Sequence, residues 1–424
     1  MNRTPNTHSS TRRNVRWAAA GLSAMAILPA LQGIPAAAQS RAIHAAGHLR
    51  DGTPSSTVKH WGTFFGGAST FQPEDMTTSP VSVSLPGSIA EVATSNSSEY
   101  ALLTNGSVYA WGLGNVGQLG DGETGNSFTT PVQVHFPAGV KIASLPIDVM
   151  PFDTGLAVDT EGHVWGWGDN QGGELCLGNY NQYLTPVRLP FSHVTAVAGA
   201  FDHALYDARG QVWACGLNIL GELGDGTTRL SSVPVKVKGL GPRAHVVFLV
   251  AAFTNSGALL ADGKYLDWGT NGQGQLGTGT LRKRSDVPVT VPLPAKVRLV
   301  TQGGSVPGNG QTLVLLTNGD LYAWGDDGQG QLGDGMTTAQ SSPELITPPT
   351  GVTYQALATS GGTSYGLSTT GDVYAWGGGM EGQIGNGTTE SSFIPVKVAS
   401  GATGISATAD DVLIAVTRCD RRPL

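Results

Sequence analysis

Charged side chains and cysteine are both scarce in this chain of 424 residues. Only 13% of the residues are charged, and three cysteines are too few for the disulfide framework of a small secreted domain. Low charge combined with 61 glycines and 24 prolines is typical of tight turns between paired strands rather than of helices. No pattern that predicts a helix appears after residue 40. The composition therefore predicts an all-β protein.

Several functional classes lack their sequence signatures. The nine histidines are scattered, and neither a His-Glu-x-x-His nor a Cys-x-x-Cys motif is present, so we expect no metal site and no cofactor. Without residues 1–38, which hold four basic and no acidic residues, the net charge changes from −7 to −11. Because nucleic acid attracts basic surfaces, so acidic a domain argues against a nucleic-acid partner.

What the sequence does contain is a unit of about fifty residues that recurs seven times. Each copy has Trp-Gly or its equivalent, a glycine six positions later and a proline nineteen or twenty positions later. The first residues of the seven pairs are Trp61, Trp111, Trp167, Cys215, Trp268, Trp324 and Trp376. Internal similarity at this period is typical of propellers and solenoids.

The copy at residues 313–364 predicts four short strands per unit. Residues 313–317 form an apolar strand, Asn318-Gly319 predicts a two-residue hairpin turn, and residues 321–324 form the next strand. A glycine-rich loop and a Pro-Val-x-Val strand follow, whose proline suits a sheet edge. An apolar run, as at residues 194–199, leads into the next hairpin. Such sheets must stack on one another, which predicts a seven-bladed β-propeller of four-stranded antiparallel blades, with a linear β-solenoid as the alternative.

The two ends of the chain predict how the ring closes. The first copy starts at the Trp strand, residues 58–61, and lacks the hairpin strand that precedes it elsewhere. The last copy ends with residues 405–408 and 412–417 and lacks the Trp strand that follows elsewhere. We therefore expect the N-terminal and C-terminal strands to share one blade, two strands from each end.

The N-terminus has the features of an export signal. Four arginines and no acid precede a largely apolar stretch that ends in Ala36-Ala37-Ala38. Residues 1–38 are predicted to be a signal peptide that is removed, with an uncleaved membrane anchor as the alternative, and Arg12-Arg13 fit twin-arginine as well as ordinary export. Since no cysteine precedes Cys176, a lipid-anchored lipoprotein is excluded. Residues 39–57 are predicted to be a polar linker, and residues 58–424 the propeller of seven repeats.

The repeat resembles that of a known family. Over residues 58–420, the pattern of Tyr-x-Trp-Gly, Gly-Gln-Leu-Gly-Asp-Gly-Thr-Thr and Pro-Val-x-Val resembles the repeat of the regulator of chromosome condensation family. The resemblance implies a seven-bladed propeller, and the leader indicates a bacterial exported member in the periplasm or outside the cell. Family members often have a histidine at the entry to the hairpin strand. The corresponding positions here are Ser98, Thr154, Asp202, Asn255, Gln311 and Thr363.

Two groups of loop residues are candidates for partner binding. The aromatic ones occur in loops that a propeller presents on one face, where they either form an exposed patch or fold back over blade edges. A basic triplet in the fifth copy either steers an acidic partner or is a solvated loop. The candidates are Phe64, Phe65, Phe71, Phe128, Tyr180, Tyr183, Arg282, Lys283, Arg284 and Phe393.

These features favour a non-catalytic, exported, monomeric scaffold that binds a protein or a cell-surface polymer through one loop face and does not insert stably into a membrane once its signal is removed. One alternative is an enzyme of the lyase or hydrolase type acting in the central pocket. Another is guanine-nucleotide exchange, by analogy with the family. Cys176 and Cys215, in adjacent copies, are either packed thiols or a disulfide formed after export, and Cys419 is predicted to be unpaired.

Overall fold

A computed structural model describes residues 57–63, 76–95, 97–146, 150–151, 153–304, 310–408 and 411–416. The predicted signal peptide, nearly all of the predicted linker, Phe64, Phe65, Phe71 and Cys419 lie outside these ranges. Within them the chain forms 28 antiparallel β-strands, which confirms the all-β class. No helix in the described part of the chain is long and apolar enough to cross a membrane.

Two strands from each end of the chain form a composite sheet. They are β1 (Thr57–Thr63) and β2 (Met76–Ser84) from the N-terminal side, and β27 (Ala402–Thr408) and β28 (Asp411–Val416) from the C-terminal side. The strand order is β2-β1-β28-β27, and β1 pairs antiparallel with β28 so that Val58 lies opposite Ala415. The expectation that both ends share one sheet is therefore confirmed.

The remaining strands form six continuous blades, each of four consecutive strands in chain order. Blade 1 has β3 (Ile89–Thr94), β4 (Ser98–Leu103), β5 (Val108–Gly112) and β6 (Ser127–Gln133); blade 2 has β7 (Ile142–Ser144), β8 (Thr154–Asp159), β9 (Val164–Gly168) and β10 (Tyr183–Arg188). Blade 3 has β11 (Val194–Ala200), β12 (His203–Ala208), β13 (Gln211–Gly216) and β14 (Ser231–Lys236); blade 4 has β15 (Val246–Ala252), β16 (Asn255–Leu260), β17 (Tyr265–Thr270) and β18 (Arg284–Thr290). Blade 5 has β19 (Val297–Gly303), β20 (Gln311–Leu316), β21 (Leu321–Gly325) and β22 (Gln340–Ile346); blade 6 has β23 (Tyr354–Thr359), β24 (Thr363–Ser368), β25 (Val373–Gly377) and β26 (Ser392–Ala399).

The predicted count of seven blades is corrected: the structure has six blades that are continuous in the chain, and the remaining four-stranded sheet is the composite one, because neither chain end supplies four strands of its own. The second and third strands of a blade form the predicted hairpin, and Gly319 at its turn has a φ of 96°, a conformation that residues with a side chain rarely adopt. Successive first strands contact each other from β11 to β15, β19, β23 and β27 and on to β3, so they surround the central axis. The proline-bearing fourth strands form the outer edges, where a missing N–H donor is tolerated.

A tryptophan on the third strand of a sheet fastens it to the sheet before it. The indole Nε1 of Trp167, for example, donates to the Gln118 carbonyl in blade 1 at 2.9 Å. Gly120, two residues after Gln118, lies close to the Trp167 ring: a Cβ atom added to this glycine would come within 2.8 Å of it. The same bond to the preceding sheet is made by Trp61, Trp268, Trp324 and Trp376. All of these indoles are fully buried. The same contact between neighbouring sheets is thus repeated around the propeller and holds the sheets together.

Blade 3 breaks this pattern at both partners. Cys215 stands where the other sheets have tryptophan, and Cys176 in blade 2 stands where blade 1 has Gly120. The two cysteines form a disulfide with their Cα atoms 5.5 Å apart, which decides between the packed thiols and the bridge. Cys176 retains the left-handed backbone of the glycine it replaces, with a φ of 60°. A covalent bond thus occupies the place of the glycine–tryptophan contact.

Candidate functional site

One face of the propeller carries the long loop between the third and fourth strands of every blade, together with the connection between its first and second strands. In a sheet of four consecutive antiparallel strands, the connection between the first two strands and that between the last two emerge at the same edge. We call the surface formed by these connections the loop face. The short hairpins between the second and third strands lie at the opposite edge.

The predicted aromatic residues that the structure describes lie on three different blades. Phe128, Tyr183 and Phe393 are on the fourth strands β6, β10 and β26, and Tyr180 is in the loop before β10. Phe393 is 43% exposed, yet its ring covers Gly330 of blade 5, where a Cβ would collide with it. Only Tyr180 and Tyr183 share a blade, and Tyr180 is 51% exposed. The structure therefore places these aromatics around the rim and brings together the blade 2 pair alone.

The predicted basic triplet lies on blade 4. Arg282 and Lys283 end the loop before β18, and Arg284 is the first residue of that strand. All three side chains are exposed.

A group of buried carboxylates lies on the loop face between blades 2 and 3. Asp153 directly precedes β8, Asp169 directly follows β9, and Glu174 lies in the loop between β9 and β10. Asp202 belongs to the turn between β11 and β12 of blade 3. Asp153, Asp169 and Glu174 are buried, whereas Asp202 is partly exposed and connects the group to the surface. We call these four residues the acidic pocket.

Glu174 is the most enclosed member of the acidic pocket. Its Oε1 accepts a hydrogen bond from Thr154 Oγ1 at 3.1 Å, while its Oε2 accepts none from the described residues. A Cβ placed on Gly172 would lie 3.0 Å from that Oε2 and 2.5 Å from Asp202 Cβ. The two carboxylates therefore approach each other across this glycine, and the unpartnered oxygen lies on the Asp202 side.

Neutral donors hold the other two buried members of the pocket. Asp153 Oδ1 accepts a hydrogen bond from the Ser97 hydroxyl of blade 1. Asp169 accepts from the backbone N–H of Asn170 at 2.8 Å and from Gln171 Nε2 at 3.2 Å. These bonds fix the carboxylates in place but add no positive charge.

Burial raises the pKa values of all four carboxyl groups. The pKa of Asp153 rises to about 7, through burial first and repulsion from Asp169 next, and that of Asp202 rises to about 7 through burial and then the charges of Asp169 and Asp153. Burial and then Asp202 raise the pKa of Glu174 well above its usual value, and burial raises the pKa of Asp169. The pocket therefore gains a proton readily near neutral pH.

This arrangement predicts a stability that falls as the pH rises. Because the folded-state pKa of Asp153 lies above the unfolded value near 4, the folded state holds the proton more tightly, and its stability decreases from about pH 4 to about pH 7 and is level above that. One pKa unit corresponds to about 1.4 kcal/mol, so a shift from near 4 to about 7 predicts that Asp153→Asn raises the free energy of unfolding at pH 8 by about 4 kcal/mol and has little effect at pH 4.

Urea unfolding between pH 4 and pH 8 measures this difference. Asp372→Asn is the matched control, since Lys397 lowers the pKa of the Asp372 carboxyl and its removal should cost stability above pH 4. An Asp153→Asn effect that is the same at pH 4 and pH 8 would contradict the assignment.

An aromatic pair borders the acidic pocket. The ring of Phe201, which precedes Asp202 in the same turn, stacks on Phe253 of blade 4 with centroids 3.9 Å apart. Phe253 is buried and Phe201 is partly exposed, so one aromatic side chain reaches the surface beside the carboxylates. Phe201 has a φ of 48°, a strained value for a residue with a side chain, which its stacking helps to maintain.

The corresponding glutamate of blade 3 has a different environment. Glu222 occupies the position in its loop that Glu174 occupies in blade 2, seven residues after Cys215 and Trp167 respectively. Burial raises the pKa of Glu222 to about 7, and the positive charge of Arg284 acts in the opposite direction. Blade 4 therefore brings a positive charge toward blade 3, and the described residues bring none of this kind into an ion pair with the acidic pocket.

The structure corrects one sequence assignment next to the pocket. Ser98, Thr154, Asn255, Gln311 and Thr363 each open a second strand, as the alignment with the family histidine requires. In blade 3, however, that strand begins at His203, not at Asp202, because the following hairpin is one residue shorter.

The histidine that the family often has is thus present once. His203 Nε2 lies 3.0 Å from Ser256 Oγ, and burial lowers the pKa of the imidazole to about 4, so it is neutral. Asp202 is consequently a turn residue of the loop face.

A pocket in the wall of the central channel has little chemistry to offer. It is lined by the innermost strands of blades 2, 3 and 4 and by neighbouring residues, mostly Val, Ala, Leu and Phe. Its polar side chains are the hydroxyls of Ser144 and Thr195, and Thr195 donates to Asp207 Oδ2 at 2.9 Å. No titratable side chain is in the lining, so this pocket gives the predicted alternative of a channel enzyme no support.

Metal binding has no support either. Among the residues that the structure places, no three His, Cys, Asp or Glu side chains are grouped so that they could hold an ion.

Sequence reasoning missed the acidic pocket, although two signals were visible. Glu174 replaces the glutamine of the Gly-Gln-Leu-Gly motif found, for instance, at Gln118, and Asp202 appears at a position read as the family histidine. Neither substitution alone shows that carboxylates from two blades meet.

Comparison with known proteins identifies the repeat. The model of the Regulator of chromosome condensation (RCC1) repeat matches residues 105–145, 161–206, 209–252, 262–306, 318–366 and 370–409, more than half of the chain. The Ultraviolet-B receptor UVR8 of Arabidopsis thaliana is 29% identical over 297 residues, which are 68% of this chain and 64% of that protein. The E3 ubiquitin-protein ligase HERC2 of Mus musculus is 28% identical over 311 residues, which are 71% of this chain and 6% of that protein. The chain therefore spans less than two thirds of the length of either relative.

Solved structures share the fold at low identity. The yeast protein Prp20p from Saccharomyces cerevisiae superposes with a TM-score of 0.75 at 22% identity, covering 93% of this chain and 96% of that one. Human WBSCR16 gives a TM-score of 0.73 at 21% identity, covering 85% of this chain and all of the other. With these folds and with repeat matches over most of its blades, the chain belongs to the regulator of chromosome condensation repeat family.

Proposed function

We propose that the protein is a non-catalytic scaffold that binds a protein partner through the loop face of blades 2 and 3. The observation that carries the proposal is the combination, on this part of the face, of the acidic pocket with the exposed Tyr180 and the partly exposed Phe201. Aromatic side chains beside charged groups are typical anchors of protein interfaces. Tyr180 rests on Gly173, next to Glu174 in the chain, so it flanks the same pocket from the blade 2 side.

A protein is the favoured class of partner. Prp20p, which has the same fold, is described with binding properties to Gsp1p and histones. Family propellers thus include ones that meet protein partners through their surface. We extend this role to the present chain without carrying over the identity of those partners.

The proposal includes export and action as a single chain. The N-terminal leader supports export, and so does the Cys176–Cys215 disulfide, because disulfides persist in oxidising compartments and are rare in the cytosol. A partner would then be a protein of the same compartment.

Affinity capture from the periplasmic or extracellular fraction, followed by mass spectrometry, tests the proposed face. We expect Tyr180→Ala to reduce recovery of the specific partner about tenfold, as loss of an interface anchor does, while leaving the thermal midpoint unchanged. Met380→Ala is the matched control, because Met380 is 71% exposed in the equivalent loop of blade 6. Equal recovery by the parent protein and Tyr180→Ala would remove blade 2 from the interface.

A further inference from the structure

The acidic pocket brings four carboxyl groups together without a neutralising cation among the residues that the structure describes. In the part of the chain that the structure describes, no lysine or arginine forms an ion pair with Asp153, Asp169, Glu174 or Asp202. Glu174 is fully buried, and its Oε2 accepts no hydrogen bond from any residue that the structure describes. A buried carboxylate oxygen without a partner costs free energy, which a suitable cationic donor would recover.

The neighbouring blade shows from which side a cation can approach this position of the loop. The fourth strand of each blade borders the loop of the blade before it, so that Ser232 lies against Gly173 and Asp286 against Gly221. Arg284 at the start of β18 thereby brings a positive charge toward Glu222. Leu230, directly before β14, is the residue of blade 3 that corresponds to Arg284, because Ser231 and Ser285 pair with the equivalent glycines Gly216 and Gly269. The repeat thus has a place for a cation beside Glu174, and this chain puts a leucine there.

We propose that the acidic pocket binds an arginine side chain of the protein partner, with Asp202 at its entrance and Phe201 beside it. A guanidinium has planar, multiple N–H donors that match carboxylates, and it stacks favourably on aromatic rings. Asp202 is accessible from solvent, and the buried oxygen of Glu174 lies behind it next to Gly172. A metal ion fits less well, because the acidic side chains of the described residues are not grouped as metal ligands. This inference rests on the proposed binding role of the loop face.

The direct test uses a purified peptide and needs no natural partner. Acetyl-Gly-Arg-Gly-amide is titrated into the protein and followed by NMR chemical-shift changes, with the citrulline peptide, which has the same shape but no charge, as control. We expect binding of the arginine peptide only, weakened about tenfold by Glu174→Gln and by Asp202→Asn, since charge-assisted hydrogen bonds are lost. Glu222→Gln is the matched control at the same repeat position and should leave binding unchanged.

A second variant tests the pocket without removing any of its carboxylates. Leu230→Arg places on blade 3 the side chain that blade 4 has at Arg284, at a site that is 50% exposed and therefore tolerates it. We expect this substitution to fill the acidic pocket, to abolish binding of the arginine peptide and to raise the thermal midpoint. Equal shifts with arginine and citrulline peptides, or binding unaffected by both Asp202→Asn and Leu230→Arg, would overturn the proposal.

The outcomes separate this inference from the proposed function. Peptide binding that behaves as expected, together with partner capture that Tyr180→Ala and Leu230→Arg leave intact, confirms the arginine site but places the partner elsewhere. Partner capture that requires Tyr180 but is unchanged by Leu230→Arg and by Glu174→Gln keeps the loop face as the interface and rejects the arginine site.

Discussion

Cys215→Ser should lower the free energy of unfolding by about 3–4 kcal/mol, the value expected when a disulfide that closes a loop of this length is lost. The two cysteines are separated by 39 residues and lie in consecutive blades. Serine at position 215 also leaves unfilled the space that tryptophan occupies in the other sheets. Urea unfolding of the parent and of the variant, each with and without dithiothreitol, measures the loss.

The double variant Cys176→Gly/Cys215→Trp should recover most of this stability, to within about 1 kcal/mol of the parent, because buried tryptophan contributes comparable packing energy. It rebuilds the glycine–tryptophan contact of the other blades. The required acceptor, the Glu174 carbonyl, already accepts from Tyr206, but the equivalent Gln118 carbonyl accepts from both Tyr100 and Trp167.

Insensitivity of this double variant to dithiothreitol is part of the expectation. If it were as unstable as Cys215→Ser, the disulfide would not be a substitute for the repeat contact.

Trp61→Ala should cost about 3–5 kcal/mol, as truncation of a fully buried tryptophan does, and the loss should open the ring at one place. The indole of Trp61 donates to the Gln383 carbonyl of blade 6 at 2.9 Å, and its ring lies against Gly385. These contacts join the composite sheet to the last continuous blade. Native-state hydrogen exchange of the backbone amides reads out the result strand by strand.

In Trp61→Ala, amides of β1, β2 and β27 should exchange by local opening well below the free energy of global unfolding. Trp324→Ala is the matched control, because Trp324 makes the same bond to Gln275 in the interior of the continuous blades. Trp324→Ala should lower the free energy of unfolding by a similar amount. The amides of the composite sheet should nevertheless still exchange only through global unfolding in this variant. Parent-like protection of β1 in Trp61→Ala would refute the role of this contact in closure.

The strand content was predictable because each unit repeats its own local signals. The Asn318-Gly319 turn, the short apolar runs and the proline of the fourth strand are encoded within about fifty residues, and the structure has strands at these places. The pairing of the chain ends was predictable because the first and the last copy of the repeat are each incomplete and together supply one set of four strands. Such reasoning needs only neighbours in sequence and the rule that every sheet must cover its faces.

The acidic pocket was not predictable because it depends on contacts between units. Glu174 and Asp202 belong to different blades, and their approach is set by how the turn of β11 and β12 lies over Gly172. A hairpin shorter by one residue also displaced the alignment of blade 3, which exchanged the roles of Asp202 and His203. Periodicity identifies equivalent positions, but the side chains that meet across a blade boundary become visible only in three dimensions.

The composite sheet has a consequence for biosynthesis. The strands β1 and β2 leave the ribosome first, yet their partners β27 and β28 follow more than three hundred residues later. Throughout that interval the edge of β1 that will pair with β28 has no partner strand in the nascent polypeptide. Unpaired strand edges can form hydrogen bonds with strands of other chains. The nascent protein must therefore be shielded until β28 has been made. Any truncation that removes β28 leaves β1 with a permanently unpaired edge that can pair with other chains.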